Sequence, residues 1–392
     1  MLNFNYYTPT KVVFGKAAEE QVGSLVKAEG CKKVMIHYGG QSAKKSGLLD
    51  RICKSLEDEN IAYCMLGGVV PNPRMSKVYE GVELAKKEGV DFILAVGGGS
   101  VIDSSKAIGY GIANDCDPWD VYCGKVEVKG CLPIGAVLTI AAAGSEMSDS
   151  SVITNEEGWL KKGFSSDYCR CKFAVMNPEL TYTLPEYQTI SGCTDIMMHT
   201  MERYFNMCEN MQLNDGLMEA LLRNTMVYTK VLLNDPMNYD ARAEIMWAGS
   251  LSHNGLFNAG NDGGDWATHR LEHECGGMFD VTHGAGLAAV WGSWARYVMD
   301  ANPARFAKFA VNVMGVEPAA DDAATAVKGI EAMEAFYREI KMPTSLTELG
   351  ISPTDEQIEE MADKCTGGDT YTVGCMKKIT KADAIAIYKM AK

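Results

Sequence analysis

At 392 residues the chain is long enough for about two domains with separate cores, and 47% hydrophobic with 22% charged residues excludes extended disorder. A net charge of −14 repels phosphates at long range, so no nucleic-acid or membrane partner is expected, although a phosphorylated cofactor needs only a local positive pocket. The thirteen cysteines include no C-x-x-C pair, and Cys169-x-Cys171 is too tight for a usual zinc knuckle, which excludes a zinc ribbon and leaves free thiols.

Residues Met1 to Gly15 hold no basic segment followed by an apolar one, and the apolar run from Cys131 to Ala143 is too short for a bilayer. A cytoplasmic protein is expected. Lys33–His37 reads as a strand ending in Gly39-Gly40, Leu48–Glu59 as a helix and Ala62–Leu66 as a strand. Ser76–Gly89 is amphipathic at helical spacing, and Asp91–Val96 is a buried strand running into Gly97-Gly98-Gly99-Ser100 and a helix from Val101. This alternation predicts an α/β domain with a parallel sheet over residues 1–184. From residue 185 the pattern turns helical: Asp195–Asn206, Asn214–Leu233, Tyr239–Phe257, Trp266–Cys275, Gly284–Met299, Pro303–Met314, Ala323–Ile340, Asp355–Ala362 and Lys381–Met390. An all-helical domain over 185–392 follows.

Glycines at 97–99 let backbone approach a ligand, and the helix they open offers free N–H groups to a phosphate. A tight strand-to-helix turn needs glycine as well, so the run is no proof of a cofactor. Two further turns, Gly39-Gly40-Gln41-Ser42 and Ala141-Ala-Ala-Gly-Ser-Glu146 after the strand-like Ala136–Ile140, also follow strands, as in dinucleotide-binding sheets. The first turn carries no carboxylate to bind a ribose 2′-hydroxyl, while Ser42, Lys44 and Lys45 could hold a 2′-phosphate. NADP(H) is expected over NAD(H).

Only six histidines occur, four of them between 253 and 283. Asp195 and His199 share a helix face at four-residue spacing, His269 and His273 repeat it, and His283 follows a Gly-Gly turn. One carboxylate and three imidazoles would suit Fe(II) or Zn(II), but a lone Asp at a helix start is usually a cap, and a lone His usually surface or satisfied core. His37 and His253 keep that plainer reading.

Phe14-Gly15, Pro71-Asn-Pro73, Gly97-Gly-Gly-Ser-x-x-Asp-x-x-Lys106, Gly144-Ser-Glu146, Asn177-Pro178, Asp195-x-x-x-His199, Asp265-Trp-Ala-Thr-His269 and His283-Gly284 occur in this order over the whole chain. In them the chain resembles the iron-containing, or group III, alcohol dehydrogenases, and within these the NADPH-using butanol dehydrogenase and aldehyde reductase branch. The resemblance implies a dehydroquinate synthase-like fold, a homodimer, and metal ligands at Asp195, His199, His269 and His283. It implies that Gly97, Gly98, Gly99 and Ser100 hold the pyrophosphate, with Asn72, Thr139 and Lys161 (Lys162 being its neighbour) as further cofactor contacts, beside Gly39, Gly40 and Ser42 already put forward by the first turn. Asp103 then lies near the nicotinamide end as a candidate catalytic and cofactor residue. Ala143 departs from a family threonine and removes one hydroxyl contact, and Glu146 is expected to be structural at a helix start.

The reading is a metal-dependent alcohol dehydrogenase that interconverts a small, mainly apolar aldehyde and its primary alcohol, with His273 as proton relay or as support for the ligands. The rivals are a dehydroquinate synthase-like lyase or a glycerol dehydrogenase-like enzyme using NAD, and a non-catalytic binding module. A lyase site needs clustered basic residues, whereas 253–299 offers only Arg270 and Arg296 besides histidines, with aromatics that include Trp266 and Trp291.

Overall fold

Short β-branched and apolar runs make the strands of the first half: β1 Lys11–Phe14, β2 Lys33–Tyr38, β3 Ala62–Leu66, β4 Phe92–Gly97, β5 Ile134–Leu138, β6 Ser150–Asn155, β7 Leu160–Ser165 and β8 Phe173–Met176. All 392 residues are described by the computed structural model. Six strands form one parallel sheet in the order β1-β8-β5-β4-β2-β3, and β6 and β7 form a separate antiparallel hairpin. The helices between them are α1 Val22–Ala28, α2 Ser42–Lys45, α3 Leu48–Asp58, α4 Met75–Glu88, α5 Gly99–Asn114 and α6 Pro118–Tyr122. Phe92, Leu94 and Val96 of β4 pack with Val22, Leu25 and Val26 of α1 and Leu49, Ile52 and Leu56 of α3. Ile93 and Ala95 are equally buried and point to the opposite face, so β4 is apolar throughout, as a strand covered on both sides requires.

The order of the strands creates a crevice. From β2 the chain moves outward to β3 and then crosses back to enter β4 on the other side of β2. The carboxyl ends of β2 and β4 therefore flank a topological switch point, where open α/β sheets take ligands.

The remaining elements are helical: α7 Glu186–Tyr204, α8 Gln212–Asn234, α9 Tyr239–His253, α10 Ala267–Phe279, α11 His283–Val298, α12 Pro303–Asn312, α13 Asp322–Glu339, α14 Asp355–Thr366 and α15 Lys381–Ala391. No helix is long and apolar enough to cross a membrane. Their core is aromatic, with Phe205 stacked on Phe306 at 4.4 Å between ring centroids and lying 5.6 Å from Trp294. Trp291 is wholly buried beside Phe309 and Tyr337, so it fills this core and does not line a substrate site.

The backbone divides into two compact units, Tyr7–Pro185 with Gly249–Asn254, and Met1–Tyr6 with Glu186–Ala248 and Gly255–Lys392. The chain thus changes character at Pro185, while the last turn of α9 returns to the sheet unit. Other expectations shift at element ends. Asp195 is no helix cap, because α7 begins at Glu186. Residues 189–204 are all buried, so the early turns of α7 carry no amphipathic stripe to announce them. Gly276-Gly277 is not a turn but lies inside α10, and β1, β8 and the β6–β7 hairpin were not expected at all. Strands of four residues are too short for alternation to register, and Lys161-Lys162 breaks the apolar pattern of β7.

His37 bears out its plain reading. On β2 it is wholly buried, with Nδ1 3.0 Å from the Leu66 carbonyl and Nε2 2.9 Å from Ser104 Oγ. Burial lowers its pKa from 6.5 to about 4. The unfolded chain therefore takes the proton first, so stability falls as pH drops from 6.5 through 4, by about 3 kcal/mol in all. Urea unfolding at pH 7 and pH 4 should show His37→Asn losing less stability than the wild-type chain by about that amount. An equal loss in both would contradict the assignment.

Candidate metal centre and nucleotide turns

Helix α7 presents Asp195, His199 and Glu202 on one face, at i, i+4 and i+7. Helix α10 presents His269, Glu272 and His273, and His283 is the first residue of α11. These elements bring the four expected ligands together. Asp195 Oδ1 lies 3.4 Å from His199 Nδ1, 3.8 Å from His269 Nε2 and 3.7 Å from His283 Nε2.

Spacings of this size are too long for good hydrogen bonds. Buried as they are, Asp195 Oδ1 and His269 Nε2 have no hydrogen-bond partner. Ligand atoms about 2.1 Å from a tetrahedral metal stand roughly 3.4 Å apart, so the donor set fits a divalent ion of borderline softness. Asp195, His199 and His269 are only 5% exposed at their side chains, whereas His283 is 27% exposed, which leaves the cluster accessible on the His283 side.

Two glutamates complete the arrangement. Glu202 Oε1 accepts hydrogen bonds from His269 Nδ1 and from the His269 backbone N–H, both at 2.9 Å. Glu272 Oε2 accepts from His283 Nδ1. In each imidazole one nitrogen is held by a carboxylate and the other is aimed at Asp195, the arrangement that fixes tautomer and orientation in metal-binding histidines. Burial opposes protonation of His269, but Asp195 and Glu202 more than offset it and raise its pKa to about 9. The centre favours positive charge.

Glycine makes the packing possible. A Cβ on Gly284 would stand 2.0 Å from the Ser191 carbonyl of α7, and one on Gly286 would stand 2.9 Å from Glu272 Cγ. Only without those carbons does α11 lie close enough to put His283 beside Asp195. The start of α10 is held by Asp265, whose carboxylate accepts from the N–H groups of Ala267, Cys375 and Met376 at 2.7–3.1 Å. Burial and the nearby Glu202 raise Asp265 to about 7. Trp266 has φ +62° and lies under the Arg203 guanidinium at 4.5 Å, with its ring 5.1 Å from that of His269.

His273 stands apart from the quartet. It groups with Glu272 and His283, with its ring centroid 5.8 Å from His283 and 6.3 Å from His269.

In the sheet unit the three small-residue turns follow β2, β4 and β5, which are neighbours in the sheet, so the turns lie side by side. Gly39 and Gly40 end the first, with Ser42 exposed at the start of α2. Gly98 opens α5 without any side-chain cap, leaving the N–H groups of Gly99 and Ser100 to a ligand. A Cβ on Gly98 would lie 3.0 Å from Ile140, and one on Gly99 would lie 3.1 Å from Ala143. Thr139 joins the second turn to the third through its N–H, which donates to the Gly97 carbonyl. Lys161 Nζ donates to Asn72 Oδ1 at 3.1 Å, so these two expected contacts also meet.

Both oxygens of Asp103 accept hydrogen bonds, from Ser145 Oγ at 2.5 Å and the Val152 N–H at 2.9 Å, a geometry that positions backbone. Glu146 is structural as expected but sits in a turn, not at a helix start, and accepts from Ser250 Oγ at 2.6 Å. His253 Nε2 lies 3.1 Å from Ser150 Oγ.

Sequence reasoning missed Glu202 and Glu272. Each stands three residues after a histidine already singled out, so the helix face that joined His199 to Asp195 would have included Glu202. Glu272→Ala should weaken metal binding by about 10- to 100-fold in a chelator competition, because His283 loses its anchor. An unchanged affinity would show that Glu272 does not orient the site.

Residues 9–178 match the family model described as iron-containing alcohol dehydrogenase, and 189–392 match the C-terminal model of the Fe-containing alcohol dehydrogenase family. A probable NADH-dependent butanol dehydrogenase 1 of Bacillus subtilis is 40% identical over 390 residues, 99% of each chain. The NADPH-dependent aldehyde reductase YqhD of Escherichia coli is 35% identical over 354 residues, 90% of each. The crystal structure of NADH-dependent butanol dehydrogenase A from Thermotoga maritima superposes with a TM-score of 0.96 at 38% identity, covering 100% of this chain and 99% of the other.

Proposed function

The chain belongs to the iron-containing alcohol dehydrogenase family, and from that premise we propose that it interconverts a small, mainly apolar aldehyde and its primary alcohol with NADP(H). Asp195, His199, His269 and His283 would hold the divalent metal, Fe(II) or Zn(II). The observation that carries this reading is the approach of three imidazole nitrogens to Asp195 Oδ1 at 3.4–3.8 Å. When bound, the metal supplies Lewis-acid polarisation of a carbonyl oxygen and the nicotinamide supplies or accepts the hydride.

The chain's own residues do the rest. Asp195 contributes the negative charge that holds a cation among neutral imidazoles, and Glu202 and Glu272 keep the imidazoles turned toward it. The N–H groups of Gly99 and Ser100 take the pyrophosphate at the start of α5. Trp266, half-buried beside His269, offers an aromatic wall that suits a short alkyl chain and excludes water. The support for His273 as proton relay is its place with Glu272 and His283, one turn beyond His269. The thirteen free thiols favour the reducing cytoplasm as its location.

NADP(H) is preferred because Gly39–Leu49 contains no carboxylate to repel a 2′-phosphate, while Ser42, Lys44 and Lys45 stand exposed there. The named specificity of the 40% and 39% identical relatives favours NADH as the second reading. With butyraldehyde, absorbance at 340 nm should give a kcat/KM at least about tenfold higher for NADPH than for NADH. A preference for NADH would refute the 2′-phosphate argument.

Alanine at His269 or at His283 should release metal and abolish turnover while NADPH binding is kept. Stoichiometric metal in both variants would overturn the ligand set.

A further inference from the structure

Lys106 is wholly buried in the sheet unit, and nothing above gives it a task. Its Nζ donates to the carbonyls of Ser145, Ser148 and Ser150 at 2.7, 3.0 and 2.7 Å. The hydroxyls of Ser145 and Ser148 stand at 3.2 and 3.3 Å. An ammonium has three N–H bonds, and three carbonyls take them. Five oxygens around one buried positive charge are the surroundings of a bound alkali cation, supplied here by a tethered group. Burial works against that charge, but Cys169, Cys171, Asp103 and Asp149 more than offset it, and the pKa lies above its ordinary value.

One helical turn earlier, Asp103 takes the Ser145 hydroxyl and the Val152 N–H. Two groups of opposite charge on α5 therefore grip the segment 145–152 near both ends. That segment continues directly from Ala141–Gly144, where Ala143 meets Gly99 and the preceding Ile140 meets Gly98. Its start is fixed at Gly144, with φ +63°, where a Cβ would stand 2.5 Å from the Gly249 carbonyl. The helix whose first N–H groups are left uncapped thus also holds the neighbouring segment, through a buried ammonium donating to three backbone carbonyls.

We propose that Lys106 is a positioning residue for the nicotinamide nucleotide: an internal cation on which the segment after β5 folds, and through which the turns at 97–99 and 141–144 hold their binding shape. This rests on the reading of those turns as the nucleotide site. It separates from a purely structural role, which would lower thermal stability and leave affinity intact.

The test uses the full chain stripped of metal, with NADPH and NADH binding read by nicotinamide fluorescence and metal binding read separately. Lys106→Met, of similar length but uncharged, should raise the Kd for the preferred nucleotide at least tenfold with metal affinity unchanged, and in the metal-loaded enzyme should raise its KM more than it lowers kcat. Lys106→Ala lacks a propylammonium fragment, so propylammonium present during refolding should restore most of the affinity, whereas 1-propanol should not. Wild-type affinity in K106M, or equal restoration by propylammonium and 1-propanol, would overturn the proposal. Should K106M not fold, the K106A pair decides: nucleotide binding recovered with the cation supports the proposal, and binding without it refutes it. A wild-type chain that binds neither nucleotide would remove the nucleotide reading itself, and the proposal with it.

Discussion

Three carboxylates, Asp195, Glu202 and Glu272, lie within the helical unit at 4, 1 and 0% exposure, gathered around the imidazoles of His199, His269 and His283. Neutral imidazoles cannot compensate that much buried negative charge, and the cost of leaving it uncompensated would exceed the stability of an ordinary domain. The protonation of His269, raised to about 9, is the answer of the metal-free chain. A divalent cation is a better one, because it takes three imidazole nitrogens and Asp195 Oδ1 together. Much of the local architecture serves this requirement. Gly284 and Gly286 give α11 its close approach to α7 and α10, and Asp265 ties the start of α10 to the backbone at Cys375 and Met376.

The sheet unit follows a different rule: its candidate site presents backbone. The parallel order places the ends of β2, β4 and β5 side by side, and the small residues there let three turns crowd together. Side chains act from beneath. Asp103 and Lys106 hold hydrogen bonds to the segment after β5, and Glu146 accepts one from Ser250.

Much of this was legible from residue types. The α/β half showed itself because a parallel sheet demands apolar strands and glycine turns, and β4 with Gly97–Gly99 supplies both. Helical spacing in Asp195-x-x-x-His199 and the scarcity of histidine made the metal quartet one reading among others, and it was the resemblance to a known family that singled it out. Buried helices hid the rest. With every residue of 189–204 inside, α7 gives no polar face from which to read its start, and a glutamate on such a helix looks like any solvated charge. Trp291 deceived for a similar reason, since an aromatic near histidines in sequence can belong to the core on the far side of its helix. The excursion of Gly249–Asn254 into the sheet unit had no signal at all, because helical periodicity runs through it unbroken.

The central claim is that the helical unit holds one divalent metal on three imidazole nitrogens and one carboxylate oxygen. X-ray absorption of the cobalt-loaded protein reads that shell directly. The account predicts three imidazole nitrogens and at least one oxygen at about 2.0–2.2 Å, with no sulfur. A sulfur scatterer near about 2.3 Å, or fewer than three imidazoles in the shell, would contradict it.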